Sequence, residues 1–234
     1  MIAVILAGGS GRRYGAALPK QLTEINGRKV LEITLDAFQT TPGITDIIIV
    51  AHPDHIAEIR EIAEHNGGPV ACRVVAGGNE RSDSSIAALE ALKSADGAEI
   101  VMFHDAVRPL VDSAIISRCA EGMSEHRAVA AGVPTTDTIW ATDESGRIVA
   151  VPDRARLCNA QTPQCFRLAD IREAYARALA DPAFRATDEC GVVLRYLPEC
   201  HINVVEGASY NIKLTFPHDI HLVETILASR VPAP

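Results

Sequence analysis

The sequence begins I-A-V-I-L at residues 2–6, continues A-G-G-S-G-R-R at residues 7–13 and reaches P-K-Q at residues 19–21. A short apolar run that ends in glycine is typical of a strand buried on both faces. The glycines allow a tight turn and let several backbone N–H groups approach a ligand closely. Backbone N–H groups beside fixed positive charge form a phosphate site, so we predict that this loop binds a nucleoside triphosphate.

The loop matches neither of two common nucleotide-binding patterns. A dinucleotide fingerprint, G-x-G-x-x-G, counted from Gly9 and Gly11 would need a third glycine where Tyr14 stands. The Walker A pattern G-x-x-x-x-G-K-[ST] does not occur in the sequence. A glycine-rich turn after a strand can also be a tight turn and nothing more. Arg13 and Lys20 favour the phosphate interpretation, because a triphosphate and its transition state need cations close to the transferring phosphorus.

The overall composition is that of a globular protein. The chain has 234 residues, of which 47% are hydrophobic and 22% charged, which is ordinary for a globular protein with a sizeable core. We therefore expect a single domain over residues 1–234. The formal net charge of -8 argues against broad nucleic-acid binding, which needs a basic surface.

Cysteine usage and hydropathy predict a cytoplasmic protein. The six cysteines form no C-x-x-C pair, and the beginning of the chain lacks the basic and long apolar regions of a signal peptide. No apolar run approaches the roughly 20 residues that cross a bilayer. We expect reduced thiols, a cytoplasmic location and no membrane partner.

Strand-like and helix-like segments alternate along most of the chain. This alternation predicts an α/β fold with right-handed βαβ crossovers and a mostly parallel sheet. Polar loops follow the carboxyl ends of the strands, where such sheets bind ligands. The predicted strands are 2–6, 44–51, 70–75, 100–103, 128–133, 161–166 and 201–206, and the predicted helices are 29–38, 55–65, 82–92, 113–123, 168–179, 189–197 and 217–229.

The pattern changes between residues 134 and 156. Apolar and polar residues alternate in T-I-W (138–140) and R-I-V-A-V (147–151), on either side of a turn at D-E-S-G (143–146), which predicts a β-hairpin. An isolated hairpin is only marginally stable in water. We therefore expect this hairpin to pack on another surface, for which a second subunit is the obvious candidate.

A carboxylate stands at the end of the fourth predicted strand. Asp105 follows a buried strand and is expected to face the phosphate loop, where a carboxylate is a natural Mg²⁺ ligand. It could instead form a surface pair with Arg108, which would have little energetic consequence. Arg108 could also bind a second anionic group. His104 at such a turn is more often a hydrogen-bonding residue than a catalyst, and we do not assign it to the site.

A second glycine turn precedes a predicted helix. The segment G-G-N-E-R (77–81) leads to Ser84 in the first turn of that helix. Free N–H groups and a hydroxyl at such a position can hold a base, a ribose or a phosphate. The segment is also a common strand-to-helix connection and alone decides nothing.

Several motifs of this chain occur together, and in the same order, in one protein family. The chain resembles the cytidylyltransferases that act on 2-C-methyl-D-erythritol 4-phosphate in the non-mevalonate isoprenoid pathway, and the resemblance covers essentially the whole length. The motifs are L-A-G-G-S-G-R-R (6–13), P-K-Q (19–21), G-G-N-E-R-S-D-S (77–84), H-D-A-V-R-P (104–109), D-T-I (137–139), Q-T-P-Q (161–164), T-D-E (187–189) and N-I-K-L-T (211–215).

The resemblance implies a Rossmann-like nucleotidyltransferase fold with helices on both faces of the sheet and a projecting β-arm at residues 134–156. It implies a homodimer in which the arms interlock. It also implies Mg²⁺-dependent transfer of a cytidylyl group from CTP to a polyol phosphate, with release of pyrophosphate.

The resemblance also implies roles for individual residues. Arg13 and Lys20 would be catalytic and stabilise charge on the α-phosphate and the leaving group. Asp105 would bind Mg²⁺. CTP would be bound by Ala7, Gly8, Gly9, Gly11, Gly78, Asn79 and Ser84, and the acceptor by Arg108, Thr187 and Lys213 together with Thr138 and Arg154 from the partner's arm.

The chain departs from the common pattern of the family at three places. The usual start P-A-A-G is L-A-G-G (6–9), the acidic residue usual after the second glycine pair is Asn79, and the arm motif V-K-D-T-I-K is T-T-D-T-I-W (135–140). The A-G-G start and H-D-A-V-R-P are also similar to a sister group that uses D-ribitol 5-phosphate for wall or capsule polymers. That alternative acceptor leaves the reaction class unchanged.

Two further classes of protein make different predictions. A nucleotide-dependent oxidoreductase would bind NAD(P)H, although the missing third glycine and the Arg13/Lys20 pair disfavour it. A non-catalytic nucleotide sensor would bind CTP without turnover.

Overall fold

A computed structural model of the chain describes residues 1–9, 18–66, 68–78 and 80–230. Each predicted strand and helix is present, with ends shifted by a few residues at most. The strands are β1 (Ile2–Ala7), β2 (Glu24–Ile25), β3 (Arg28–Lys29), β4 (Asp46–Ala51), β5 (Ala71–Ala76), β6 (Ile100–Asp105), β7 (Ala128–Pro134), β8 (Ala141–Thr142), β9 (Ile148–Ala150), β10 (Cys158–Arg167) and β11 (Ile202–Glu206). The helices are α1 (Val30–Thr40), α2 (Ile56–His65), α3 (Arg81–Ala91), α4 (Ser113–Glu125), α5 (Leu168–Leu179), α6 (Glu189–Tyr196) and α7 (Asp219–Arg230).

A seven-stranded sheet organises the chain in the order β11-β7-β10-β6-β1-β4-β5. β1 pairs in parallel with both β4 and β6. The chain moves outward from β1 through β4 to β5 and then returns to the other side of β1 with β6. Such a reversal opens a crevice at the carboxyl ends of the strands, where α/β proteins bind ligands.

Helices cover both faces of this sheet. β1 is buried along its whole length, with Ile5 in the core beneath α1, α2 and α4 and Val4 in the core beneath α3, α5 and α6. Apolar residues on both faces are what a parallel strand between two helical layers requires. The predicted α/β fold with a mostly parallel sheet is confirmed.

Two details of the fold differ from the segment prediction. β10 is longer than the predicted strand and runs antiparallel to β6 and β7. In addition, β2 and β3 form a small hairpin whose turn residues Asn26 and Gly27 have φ values of 50° and 77°. Positive φ at both central positions is the conformation that an Asn-Gly turn favours, so this hairpin had a signal in the sequence.

The predicted hairpin at residues 134–156 is also present. β8 and β9 pair with each other in a two-stranded sheet separate from the main one. Asp143 closes the turn by accepting from the N–H groups of Ser145 and Arg147 at 2.9 and 3.0 Å. We call residues 134–156 the arm.

No helix within the described residues has the length and apolar character needed to cross a membrane.

Candidate active site

The carboxyl ends of β1 and β6 meet at the reversal of strand order. Leu6 lies opposite Asp105 in the register, and Ala106 N donates to Leu6 O at 3.1 Å. The predicted phosphate loop therefore starts beside the predicted metal ligand. Ala7, Gly8 and Gly9 lie at this start, whereas Gly11 and Arg13 fall outside the described residues.

The P-K-Q segment returns to the start of the loop. The buried side chain of Gln21 donates from Nε2 to Ala7 O at 2.7 Å and to Gly9 O at 3.2 Å. Lys20 begins a short 3₁₀ helix, and its Nζ donates to Leu214 O at 3.3 Å. Sequence reasoning assigned a role to Lys20 but missed Gln21, whose position next to the lysine was the available signal.

Ser84 joins the two glycine loops. It is buried in the first turn of α3, and a Cβ added to Gly8 or Gly77 would lie 2.6 or 2.7 Å from its Oγ. The two backbones can approach Ser84 this closely because neither glycine carries a side chain. Gly78 is equally close to the side chain of Asp83, and Asn79 lies outside the described residues.

Three cations surround the carboxylate of Asp105. Lys213 Nζ lies 2.9 Å and Arg108 Nε 3.5 Å from Oδ2, and Arg81 Nε lies 3.8 Å from Oδ1. Burial on its own raises the pKa of Asp105, but Lys213, Arg81 and Arg108 together lower it well below its usual range. The aspartate is therefore a fixed negative charge at neutral pH, within a cluster that has a net excess of positive charge.

Arg108 is anchored by backbone carbonyls. Nη1 donates to Asn211 O at 2.8 Å and Nη2 to Ala160 O at 3.3 Å. Burial lowers the pKa of Arg108, while Asp105 acts in the opposite direction. The predicted Asp105–Arg108 pair exists but is largely buried, which differs from the surface pair considered as the alternative.

His104 forms hydrogen bonds at the carboxyl end of β6. Its Nδ1 lies 3.0 Å from Thr162 Oγ1 and its Nε2 lies 3.3 Å from Arg108 O. Thr162 Oγ1 also accepts from Asp105 N at 3.2 Å. Burial lowers the pKa of His104 to about 4, so this side chain is a neutral hydrogen-bonding residue near pH 7.

The remaining motifs place the predicted acceptor residues. Asn211 Nδ2 donates to Thr162 O at 3.0 Å, which ties the segment that carries Lys213 to the Q-T-P-Q motif. Gln164 Nε2 donates to Asp188 Oδ2 at 2.9 Å and thereby fixes the loop next to the exposed Thr187. The motifs thus bring Lys213 and the Thr187 loop to one end of the sheet.

Thr138 and Arg154 lie apart from this cluster, on the exposed surface of the arm. Arg154 Nη1 donates to Thr136 O at 2.9 Å. Among the described residues, neither side chain makes a hydrogen bond or ion pair with the Asp105 cluster of its own chain.

Comparison with known proteins identifies the family of this chain. The family model described as "IspD: 2-C-methyl-D-erythritol 4-phosphate cytidylyltransferase" matches residues 1–229. The chain belongs to the IspD family. Its recognition from the motif order is therefore confirmed, and enzymes of this family are cytidylyltransferases.

Relatives and a solved structure agree with this membership. The chain is 45% identical to the 2-C-methyl-D-erythritol 4-phosphate cytidylyltransferase of Thermobifida fusca, over 98% of this chain and 94% of the relative. It is 37% identical to the bifunctional ribulose 5-phosphate reductase/CDP-ribitol pyrophosphorylase Bcs1 of Haemophilus influenzae, over 98% of this chain and 48% of that protein. The crystal structure of 4-diphosphocytidyl-2C-methyl-D-erythritol synthase from Anaerococcus prevotii superposes with a TM-score of 0.83 at 32% identity, covering 97% of each chain.

The IspD fold brings together residues that sequence reasoning did not assign. Arg81 and Glu189 form a bidentate pair at 2.7 and 2.6 Å beside Asp105. They stand inside the G-G-N-E-R-S-D-S and T-D-E motifs, but no local pattern indicated that they would meet.

A divalent cation at Asp105 would depend on oxygen atoms from the substrate. The described residues contain no group of three or more His, Cys, Asp or Glu side chains that could bind a metal. Mg²⁺ does not need one, because it commonly binds one or two carboxylates and completes its shell with phosphate oxygens and water. The ionised carboxylate of Asp105 at the strand end fits that mode.

Proposed function

We propose that this chain transfers the cytidylyl group of CTP to 2-C-methyl-D-erythritol 4-phosphate and releases pyrophosphate. The observation that carries the proposal is the cluster of Lys213, Arg108 and Arg81 around Asp105 at the reversal of strand order. Membership of the IspD family supports the reaction class and the acceptor.

The cluster suits a reaction between two anions. In the proposed reaction a phosphate oxygen of the acceptor attacks the α-phosphorus of CTP in line with the leaving pyrophosphate. That oxygen is already anionic near neutral pH, so the site needs no strong general base. Positioning and neutralisation of charge supply most of the rate in phosphoryl and nucleotidyl transfer.

We propose a separate role for each cation. Arg13 and Lys20 would neutralise charge on the α-phosphate and on pyrophosphate. Arg108 and Lys213, which both contact Asp105 Oδ2, would face the acceptor phosphate together with Thr187. When bound at Asp105, Mg²⁺ would supply further neutralisation of the phosphate oxygens.

The glycine loops would hold the nucleotide. Ala7, Gly8, Gly9 and Gly11 would offer backbone N–H groups to the triphosphate, because little side-chain volume obstructs their approach. Cytosine and ribose would lie against Gly78, Asn79 and Ser84 at the start of α3.

We further propose a homodimer formed through the arm. The arm exposes Trp140 by 62% and Val149 by 63%, which is apolar area that a second copy could cover. In such a dimer Thr138 and Arg154 of one copy would reach the acceptor phosphate in the other. The domain would then be a single nucleotidyltransferase unit over residues 1–234, with the arm at 134–156 as its dimerisation element.

A cytoplasmic location is also proposed. All six cysteines are free thiols, as expected in a reducing compartment.

A second acceptor has one specific observation in its favour. The relative from Haemophilus influenzae carries the name of a CDP-ribitol pyrophosphorylase. D-Ribitol 5-phosphate is therefore the alternative acceptor, and it would use the same cations because both acceptors present a phosphate monoester.

Release of pyrophosphate tests the proposal and separates the acceptors. The protein is incubated with CTP, Mg²⁺ and each polyol phosphate in turn, and initial rates are compared at equal acceptor concentrations. A faster rate with 2-C-methyl-D-erythritol 4-phosphate supports the proposal, and a faster rate with D-ribitol 5-phosphate favours the alternative. Absence of release with both acceptors contradicts both, and CTP binding without any turnover would indicate a sensor.

A further inference from the structure

A fully buried carboxylate holds one of the three cations. Glu189, at the start of α6, accepts from Arg81 Nη1 at 2.7 Å and from Nη2 at 2.6 Å. Ser85 Oγ donates to the same carboxylate at 2.6 Å. A guanidinium bound through two parallel hydrogen bonds has a fixed plane as well as a fixed position.

The Nε side of the Arg81 guanidinium faces Asp105. Arg81 Nε lies 3.8 Å from Asp105 Oδ1, while Lys213 contacts the other carboxylate oxygen. Burial on its own lowers the pKa of Arg81, but the carboxylates of Glu189 and Asp105 raise it above its ordinary value. Arg81 is therefore a permanent cation shared between a buried carboxylate and the carboxylate of the site.

Stability alone gives a poor reason for this arrangement. Removing two charges from water is costly, and an apolar pair of similar volume often stabilises a fold equally well or better. The chain has another ion pair between an arginine and a largely buried carboxylate, Arg127–Asp170. That second pair has a more exposed arginine and no contact with the Asp105 cluster among the described residues, so it offers a control for the loss of an arginine–carboxylate pair elsewhere in the fold.

We propose that Arg81 is a positioning residue for Asp105, and that Glu189 anchors it. With Arg81 Nε 3.8 Å from Oδ1 and Lys213 Nζ 2.9 Å from Oδ2, the two cations together favour one rotation of the carboxylate, in which it would meet a divalent cation. This inference rests on the proposed role of Asp105 as the metal ligand. Residues that orient a metal ligand in this way contribute about 10- to 100-fold to metal affinity or activity.

The pair also joins the two halves of the site. Arg81 begins α3, directly after the second glycine loop, and Glu189 lies two positions after Thr187 on the proposed acceptor side. The ion pair, together with the hydrogen bond from Ser85, therefore links the segment after the nucleotide loop to the segment after Thr187, 108 positions further along the chain.

Binding of Mn²⁺ as a substitute for Mg²⁺ tests the proposal. Free Mn²⁺ is measured by electron paramagnetic resonance in the presence of CTP, for the wild type and for Arg81→Lys, Glu189→Gln, Asp105→Asn and the control Arg127→Lys. We expect Arg81→Lys and Glu189→Gln to weaken Mn²⁺ binding about 10-fold or more. Arg127→Lys should leave binding unchanged.

A double variant separates positioning from general structure. If Arg81 acts through Asp105, Arg81→Lys should have no further effect on Mn²⁺ binding when combined with Asp105→Asn, because coupled residues are not additive. Wild-type Mn²⁺ affinity in a folded Arg81→Lys protein would overturn the proposal. The proposal would also be overturned if Arg81→Lys weakened Mn²⁺ binding as much in the Asp105→Asn protein as in the wild type. Absence of Mn²⁺ binding by the wild type would overturn it too.

Two features of the test separate failure of this proposal from misfolding of a variant and from failure of the proposed function. Arg81→Lys retains a positive charge opposite Glu189, so it remains informative even where Glu189→Gln does not fold. Pyrophosphate release is measured separately. Weaker Mn²⁺ binding in the variants of a protein that transfers to neither acceptor would support the positioning role while contradicting the proposed function.

Discussion

The carboxyl end of the sheet and the arm are opposite in their construction. At the sheet end, Asp105 is only 7% exposed, and Lys213, Arg108 and Arg81 reach it from different segments. In the arm, Trp140 and Val149 are exposed by more than half. The residues at the sheet end are packed together and joined by ion pairs within one chain, whereas the apolar side chains of the arm are exposed.

This difference separates the side chains that one chain holds in place from those that it leaves exposed. The cluster around Asp105 is held together by ion pairs and hydrogen bonds within one chain, so a single copy can form it. The exposed side chains of the arm lack this support, and burial of their apolar area would favour association with a second copy. We therefore predict that substitutions at the sheet end change the chemical step, and that substitutions in the arm change assembly and acceptor affinity.

The largest effect is expected at Lys20. Lys20→Ala should lower turnover about 100- to 1,000-fold, as removal of one charge-stabilising donor does in other enzymes. Its unfolding temperature should change little, because the lysine lies in a loop-proximal 3₁₀ turn and not in the core. Initial rates of pyrophosphate release and thermal unfolding are the measurements.

Lys93→Ala is the matched control for this substitution. Lys93 is exposed and pairs with Glu90 on the surface, so its removal should alter neither rate nor fold. Loss of folding in Lys20→Ala, or equal rates in the two variants, would count against the catalytic assignment.

The next effect concerns pH and is confined to the sheet end. Burial lowers the pKa of His104 from 6.5 to about 4, so between these values the unfolded chain binds a proton that the folded chain does not. Stability should therefore fall by about 3 kcal/mol as the pH is lowered from 6.5 to 4. The pKa of Asp105 is also below its usual range, and its contribution should be lost at still lower pH.

Urea unfolding in metal-free buffer at several pH values measures this effect. His104→Gln keeps neutral hydrogen-bonding groups but cannot be protonated. The variant should therefore lose the fall in stability between pH 6.5 and 4, and keep the further fall at lower pH that Asp105 causes. Parallel curves for the wild type and His104→Gln between pH 4 and 6.5 would show that the histidine is not the cause.

A smaller effect is expected from the apolar surface of the arm. Trp140→Ser should weaken the proposed dimer about 30-fold, because a buried tryptophan commonly carries about 2 kcal/mol of association energy. Sedimentation at several protein concentrations measures the change. Leu194→Ser, an exposed leucine on α6 outside the arm, is the control, and equal behaviour of both variants would contradict an interface through the arm.

The smallest effect concerns the charge of the arm. Arg154→Ala should raise the KM for the acceptor about 10-fold through loss of one phosphate contact, and leave CTP affinity unchanged. Arg147→Ala, a charge removed from the exposed tip of the same arm, should have no effect. A change in CTP affinity or in turnover alone would place Arg154 in a different role.

Much of the fold was predictable because it depends on local patterns. Apolar runs and helical periodicity placed α5 at its observed bounds, Leu168–Leu179. The alternation of elements predicted a sheet with Asp105 beside the glycine loop. The direction of β10 was not predictable from its pattern, because an alternating or apolar run is the same whichever way the strand runs.

The pairs that complete the site depend on tertiary structure. Arg81 and Glu189 meet only because the strand order brings α3 and α6 to the same end of the sheet, and no spacing in the sequence encodes that meeting. Asn26-Gly27 is a contrasting case, since its turn conformation is local and the signal was present in the sequence. Local conformation was thus accessible, whereas side-chain pairing across the chain was not.

Mixed dimers provide the most direct test of a site built from the sheet end of one copy and the arm of another. Lys20→Ala and Arg154→Ala chains with different tags are co-expressed, and the mixed dimer is purified and assayed at low acceptor concentration. In it, the Arg154→Ala subunit receives an intact arm, so one of the two sites should be whole and activity should be about half that of the wild type. A mixed dimer with only about one twentieth of wild-type activity, the value set by the Arg154→Ala defect acting within its own chain, would contradict the shared site.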